Sequence, residues 1–141
     1  MTTIKYGTTI QIYPSKIQKE QIIKTIGCKR FIYNYFLNEA KNNRYKSYSQ
    51  YSKLLTQLKI DKPFLKEVDK FALQNALRDL DNAFQRFINK LSNYPRFKTK
   101  RDLRQSYRTN LTNKNIEIKG KLIKLPKLGW VKLKKEVNFF V

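Results

Sequence analysis

The stretch from Asp69 to Leu91, DKFALQNALRDLDNAFQRFINKL, constrains the fold of this chain more than any other. Leu73, Leu77, Leu80, Phe84, Phe87 and Leu91 recur at steps of four, three, four, three and four residues, which stacks their side chains in one stripe along a helix. Asp69 is of the type that caps helix N-termini, and neither Gly nor Pro occurs between it and Leu91, so a core-facing helix of about six turns is expected. Lys70, Gln74 and Arg78 begin the other face as a ladder of donors, each one turn beyond the last. Charged helix faces are most often simply solvated, so the ladder by itself assigns no function.

The remaining segments must supply the other side of that core. Thr2 to Tyr13 alternates, with Ile4, Tyr6, Thr8, Ile10 and Ile12 on one side and Pro14 closing it, which predicts a strand. Ser15 and Gln18 have capping-box spacing and predict a helix whose buried side is Ile22, Ile26, Tyr33, Phe36, Leu37 and Ala40, with Gly27 a weak point or a bend. After a polar turn at residues 42–46, Ser47 and Gln50 repeat the cap, and Tyr51, Leu54, Leu55 and Leu58 form the apolar side of a shorter helix. Pro63 opens one more helical turn, to Val68. Ile116 and Ile118, a Lys119-Gly120-Lys121 turn and Leu122 to Leu125 read as a hairpin; Pro126 and Gly129 bracket a further turn before Trp130 to Lys134. The order is strand, helices, strands. A lone N-terminal strand needs partners, so the helices are expected as an insertion between strands of one small sheet, an α+β fold.

Charge narrows the function. Lys and Arg number 31 against 10 acids, a net +21 and a pI of about 10.2, a self-repelling balance that a polyanion relieves. Nucleic acid is the expected partner. An AT-biased genome would enrich Lys, but it would also enrich Glu, which is scarce here. The cations concentrate in PRFKTKRDLRQSYR, where Arg96, Lys98, Lys100, Arg101, Arg104 and Arg108 face only Asp102 and are interleaved with Phe97 and Tyr107. Packing alone does not account for such a run, which suits phosphate contact.

Other chemistries are excluded by residue type. The chain has no His, and its single thiol, Cys28, falls in a helical pattern. A Cys/His zinc site, a His general base and an intrachain disulfide are therefore ruled out. With no signal-peptide pattern, Cys28 is expected as a small buried or half-buried residue in a reducing compartment. No run reaches the apolar length of a membrane span, and a membrane-surface role ranks below nucleic-acid binding. Aromatic content of 13% within 40% hydrophobic residues argues for a folded chain.

The segments IQIYPSKIQKEQI, GCKRFIYNYFL, VDKFALQNALRDLDNAF, YPRFKTKR, SYRTNLTN and IKLPKLGWVKLK, in this order, resemble the N-terminal portion of the OrfB/TnpB proteins of bacterial insertion sequences, over essentially the whole chain. Those proteins resemble compact ancestors of type V CRISPR effectors. The resemblance implies a wedge-like, β-barrel-like module at residues 1–14 and 95–141, interrupted by a helical recognition module at residues 15–94. Together these would hold a guide RNA and read a short motif in the double-stranded DNA beside the target. It further implies that Tyr48, Ser52, Lys70, Gln74, Thr112 and Asn113 face that DNA. Gln74 suits a base edge, since a side-chain amide can pair bidentately with adenine, whereas Lys70 suits a base or a phosphate. Arg96 to Arg108, with Lys119, Lys121, Lys124, Lys127, Lys132, Lys134 and Lys135, would neutralise nucleic-acid backbones.

In that family, cleavage belongs to a downstream RNase H-like nuclease domain with metal-binding carboxylates and a zinc-ribbon insertion. The ten acids here do not substitute for it: Asp79 and Asp81 lie two apart on a helix and point to different sides, and Asp102 reads as a local ion pair. The expectation is a non-catalytic chain without cofactor, either a truncated piece or a decayed reading frame, with a separate polypeptide as one source of the nuclease half. The implied setting is the bacterial cytoplasm, at the nucleoid. Two other readings stand beside this one: a stand-alone helix-turn-helix DNA-binding regulator, and an inactive transposase relic that is merely basic.

Overall fold

The computed structural model describes residues 7, 9–102 and 105–135. The elements run β1 (Ile12–Tyr13), α1 (Lys16–Asn43), α2 (Tyr48–Asp61), a 3-10 turn (Pro63–Glu67), α3 (Lys70–Ile88), β2 (Glu117–Lys119), β3 (Leu122–Leu125) and β4 (Gly129–Leu133). The chain divides into two compact units, Met1–Glu20 with Leu111–Val141 and Gln21–Asn110.

In the first unit the strands pair in the order β1-β4-β3-β2, each antiparallel to its neighbour. The alternation expected over Thr2 to Tyr13 is realised in β1 at Ile12–Tyr13; residues 1–6 and 8 lie outside the described residues. Among the described residues the sheet is open, with β1 and β2 at its edges. Gly120, at the first of two turn positions between β2 and β3, has φ 55°, and Gly129 after the second turn has φ 73°, a region a side chain enters only at a cost. The capping box forms in full: Gln18 N donates to Ser15 Oγ at 3.2 Å, and Ser15 N donates to Gln18 Oε1 at 2.8 Å. Gln18 does more than cap, because its Nε2 also donates to the carbonyls of Leu128 and Trp130, at 3.1 and 2.8 Å.

In the helical unit α1, α2 and α3 share one core that includes Ile32, Phe36, Leu37, Leu55, Leu65, Leu73, Leu77 and Leu80. Cys28 is buried, as are Tyr33, Phe36, Leu37 and Ala40, while Ile22 and Ile26 are only half-buried. Gly27 does not break α1, which continues to Asn43. Asp69 caps α3 through its Oδ1, which accepts from Phe71 N at 3.0 Å, and Ser47 Oγ accepts from Gln50 N at 3.2 Å at the start of α2.

Two parts of the apolar patterns turn out differently. Leu54, expected on the buried side of α2, is exposed, since Tyr51, Leu55 and Leu58 already fill the contact. The stripe of α3 stays buried through Phe84, but Phe87 and Leu91 are exposed. The helix closes at Ile88, where Leu91 N donates to Arg86 O and Lys90 N to Phe87 O, a Schellman arrangement with Lys90 in the left-handed position at φ 60°. Periodicity continues past this point in sequence, but the backbone does not. Arg44 after α1 also has positive φ, at 69°. Both helices thus end on a cation rather than a glycine, and its charge suits the negative end of the helix dipole.

Candidate nucleic-acid interface

Two helices bring together side chains that lie far apart in sequence. Gln74, on the second turn of α3, is half-buried, and its Oε1 accepts from Tyr48 Oη at 2.9 Å and from Ser52 Oγ at 3.2 Å. Tyr48 and Ser52 are one turn apart on α2, so both hydroxyls reach the same amide. The arrangement orients the amide oxygen inward and leaves the Nε2 donors for another partner. Arg78 lies with its guanidinium carbon 4.6 Å from the Tyr48 ring centroid, holding a positive charge beside the cluster. Lys70, one turn before Gln74, is exposed, with its ammonium 5.2 Å from the Phe71 ring centroid.

Thr112 and Asn113 belong to the sheet unit and sit in a tight turn. Thr112 N donates to Asn115 Oδ1 at 2.7 Å, and Asn115 N donates to Thr112 O at 3.1 Å. The central residues Asn113 and Lys114 both have positive φ, 50° and 59°, and both are exposed.

The basic segment before this turn is anchored on the helical unit. Asn34 grips the backbone of Lys98 from both sides, with Lys98 N donating to Asn34 Oδ1 at 2.7 Å and Asn34 Nδ2 donating to Lys98 O at 2.9 Å. Lys29 Nζ donates to Ser106 O at 2.7 Å, and the buried Asn75 donates through Nδ2 to Arg108 O at 3.0 Å and to Asn110 Oδ1 at 3.3 Å. No periodicity singles out Asn34, Lys29 or Asn75, because their partners come from a segment without regular structure. Arg96, Lys98, Lys100, Arg101 and Arg108 are all exposed; Arg104 lies outside the described residues. Backbone contacts thus fix the path of the segment and leave Arg96, Lys100 and Arg101 exposed, while Arg108 pairs with Asp79 and Lys98 Nζ lies 5.0 Å from the Tyr33 ring centroid.

Where this segment crosses α1 and α3 a cleft of about 250 Å³ forms, lined by Lys29, Arg30, Tyr33, Asp79, Lys98 and Ser106 among others. Burial holds the pKa of Lys29 below its ordinary value; Asp79 opposes this, while Arg108 and Lys98 add to it. Asp79 pairs with Arg108, and Asp81 accepts a hydrogen bond from Tyr45 Oη, so the two carboxylates serve different partners. Burial, and then this bond and the charge of Asp81, raise the pKa of the Tyr45 hydroxyl. Among the described residues no three His, Cys, Asp or Glu side chains cluster to hold a metal ion.

The sheet unit offers further cations. Lys119, Lys121, Lys124, Lys127, Lys132, Lys134 and Lys135 are all exposed, whereas Val131 and Leu133 of β4 are buried. Lys119, Lys124 and Lys132 lie on the strands, where alternation puts them on the face opposite Val131 and Leu133. No helix among the described residues is long and apolar enough to cross a membrane.

Residues 1–49 match the helix-turn-helix domain of the OrfB IS605 family, a region covering β1, α1 and the capped start of α2. A putative RNA-guided DNA endonuclease of Streptomyces pristinaespiralis is 36% identical over 113 residues, 75% of this chain and 28% of its own length. The putative RNA-guided DNA endonuclease InsQ of Escherichia coli (strain K12) is 30% identical over 129 residues, 86% of this chain and 32% of its own length. The chain thus spans 28% and 32% of the length of these relatives.

Proposed function

We propose that this chain, whose residues 1–49 match the helix-turn-helix domain of the OrfB IS605 family, is a nucleic-acid-binding region of a TnpB-like RNA-guided DNA nuclease. Its ligands in this reading are a guide RNA and a short motif in double-stranded DNA beside the target. The observation that carries it is the meeting of Tyr48, Ser52 and Gln74, which presents an oriented amide between two cations, Lys70 and Arg78. Major-groove base edges present acceptors that such donors can contact, and a fixed amide spends less entropy on binding than a free one. Thr112 and Asn113 would add contacts from the sheet unit. The exposed cations of residues 96–108, with Lys121, Lys124, Lys127 and Lys132, would carry the backbone charge.

No bond-breaking step is assigned to these residues, since Asp79 and Asp81 are each engaged by a separate partner. A nuclease half would come from elsewhere, in the same or a separate polypeptide. We read the open sheet as part of a wedge-like barrel module, whose closure would require further pairing at the β1 and β2 edges.

Purification from a bacterial host followed by sequencing of bound RNA tests the proposal. Enrichment of one structured RNA is the expected result. Indiscriminate nucleic acid with a steep salt dependence would instead mean a merely basic protein. The helix, turn and helix of α1, residues 44–47 and α2 favour a second reading, a regulator that binds DNA without RNA. That protein should dimerise on a palindromic site.

A further inference from the structure

The sheet register puts two aromatic rings on one open, basic face. Cross-strand partners share a face, and residues two apart along a strand return to it. Glu117 pairs with Lys124 and Lys124 with Trp130, which makes one outer row. Lys119 pairs with Leu122, Leu122 with Lys132 and Lys132 with Tyr13, which makes the next. The intervening rows, Ile118–Ile123–Val131 and Ile12–Leu133, form the other face and include the buried Val131 and Leu133.

The outer rows are not the polar surface that a solvated sheet face normally has. Trp130 is 37% exposed, Leu122 39% and Tyr13 50%. Lysines stand between and beside these apolar groups: Lys132 is paired with Tyr13, Lys124 with Trp130, and Lys119 Nζ is 5.5 Å from the Trp130 ring centroid. Glu117 is the single carboxylate in these two rows. Flat rings alternating with cations suit a ligand that carries both flat apolar surface and regular negative charge. Single-stranded nucleic acid has both, because its bases are free to stack while its phosphates meet the lysines. A duplex keeps its bases stacked inside and would use only the lysines.

We propose that the outer face of the sheet is a stacking platform for unpaired nucleobases, with Trp130 and Tyr13 as the stacking groups and Lys119, Lys124 and Lys132 holding the adjoining phosphates. The proposal rests on the nucleic-acid-binding reading and adds to it a site for strands that are not base-paired. It is independent of the cluster around Gln74.

Trp130 is the sole tryptophan, so its fluorescence reports on this face alone. The full chain is titrated with 12-nucleotide oligouridine, oligothymidine and a 12-base-pair duplex, following Trp130 emission and, in parallel, anisotropy of labelled oligonucleotide. Quenching by a single strand but not by the duplex is expected. Quenching by both single strands assigns a general stacking site, and quenching by oligouridine alone assigns RNA. Trp130→Leu should weaken single-strand binding about tenfold while leaving duplex binding within about twofold, and Trp130→Phe should restore most of the loss. Tyr13→Leu, from the neighbouring row, should act in the same direction if one variant proves unstable. Single-strand binding without quenching, or equal loss for both probes in Trp130→Leu, overturns the platform while leaving nucleic-acid binding intact. Failure of the unmodified chain to bind any of the three probes overturns the nucleic-acid reading itself.

Discussion

The Tyr48 hydroxyl donates to Gln74 Oε1 at 2.9 Å, joining α2 to α3 across 26 positions of sequence. Ser52 donates to the same oxygen at 3.2 Å, so the amide is held from one side by two hydroxyls. Both lone pairs of that oxygen are thereby used, so the bidentate adenine contact expected from the sequence is reduced to a contact through Nε2 alone. If Gln74 reads a base, Gln74→Ala should lower preference for the cognate DNA motif by about 1 kcal/mol in the complete RNA-guided complex. Tyr48→Phe should lower it by less, because the donors remain and only their orientation loosens. Competition binding between the cognate motif and single-base variants measures both. Unchanged preference in Gln74→Ala removes the residue from the reading edge.

The cations of the anchored segment should behave differently. Replacing Arg101 and Arg104 by Ala is expected to weaken binding to all sequences and to flatten the plot of log K against log salt by roughly 0.9 for each phosphate no longer neutralised. Binding isotherms at several salt concentrations check this. A changed sequence preference would mean that these side chains contact bases.

Asn34 holds the backbone of Lys98 through two hydrogen bonds at 2.7 and 2.9 Å. Asn34→Ala should speed hydrogen exchange at the Lys98 amide and cost about 1 to 2 kcal/mol of stability. It should also weaken nucleic-acid binding without removing a charge, because the cations would no longer start from a fixed path. Exchange mass spectrometry and urea denaturation measure the two effects separately.

Two substitutions should stabilise the chain. A Cβ at Gly27 would meet only Arg30 Nη2, at an ordinary 3.7 Å, so Gly27→Ala should gain about 1 kcal/mol from helix propensity alone. Lys90 occupies the left-handed region at φ 60° in the Schellman turn. Lys90→Gly should gain no more than about 0.5 kcal/mol, because relief of that conformation is partly offset by losing the cation at the negative end of the helix. Denaturant midpoints of the single variants and of the pair check both values, and the gains should add, since the sites have no shared partner.

Alkaline pH should destabilise the fold. The hydroxyls of Tyr33, Tyr45, Tyr51 and Tyr107 are held above the ordinary tyrosine value of 10.0, in each case mainly by burial. In the unfolded chain they ionise near that value and in the folded chain only above it. Their contribution is complete below pH 10.0 and is lost as pH rises through the raised folded values. Lys29 and Lys59 act in the opposite sense: burial lowers their folded values, so the fold gains as pH climbs toward their ordinary 10.5. The lysine gain is complete once pH reaches 10.5, whereas the tyrosine loss begins near 10.0 and continues above it, so the urea midpoint should fall on the alkaline side. Tyr45→Phe should make that fall shallower.

The local elements of this protein are legible in its sequence. Ser15 with Gln18, Ser47 and Asp69 announce helix starts because a cap is a contact between near neighbours, and the same holds for the Gly120 turn. The buried stripe from Leu73 to Phe84 follows from a repeat that matches the helical turn. Periodicity also announces that Tyr48 and Ser52 share a face, and that Lys70 and Gln74 do. It does not say that the two faces meet. That meeting, the grip of Asn34 on Lys98 across 64 positions, and the row joining Tyr13, Lys132 and Leu122 are decided by tertiary structure. So are the exposure of Leu54 and Phe87, since which apolar groups are covered depends on the neighbour that arrives and on where the helix closes. A repeat in sequence specifies the direction of a side chain relative to its own element. Its partner is specified only when the chain has folded back, because that distance is set by packing and not by spacing.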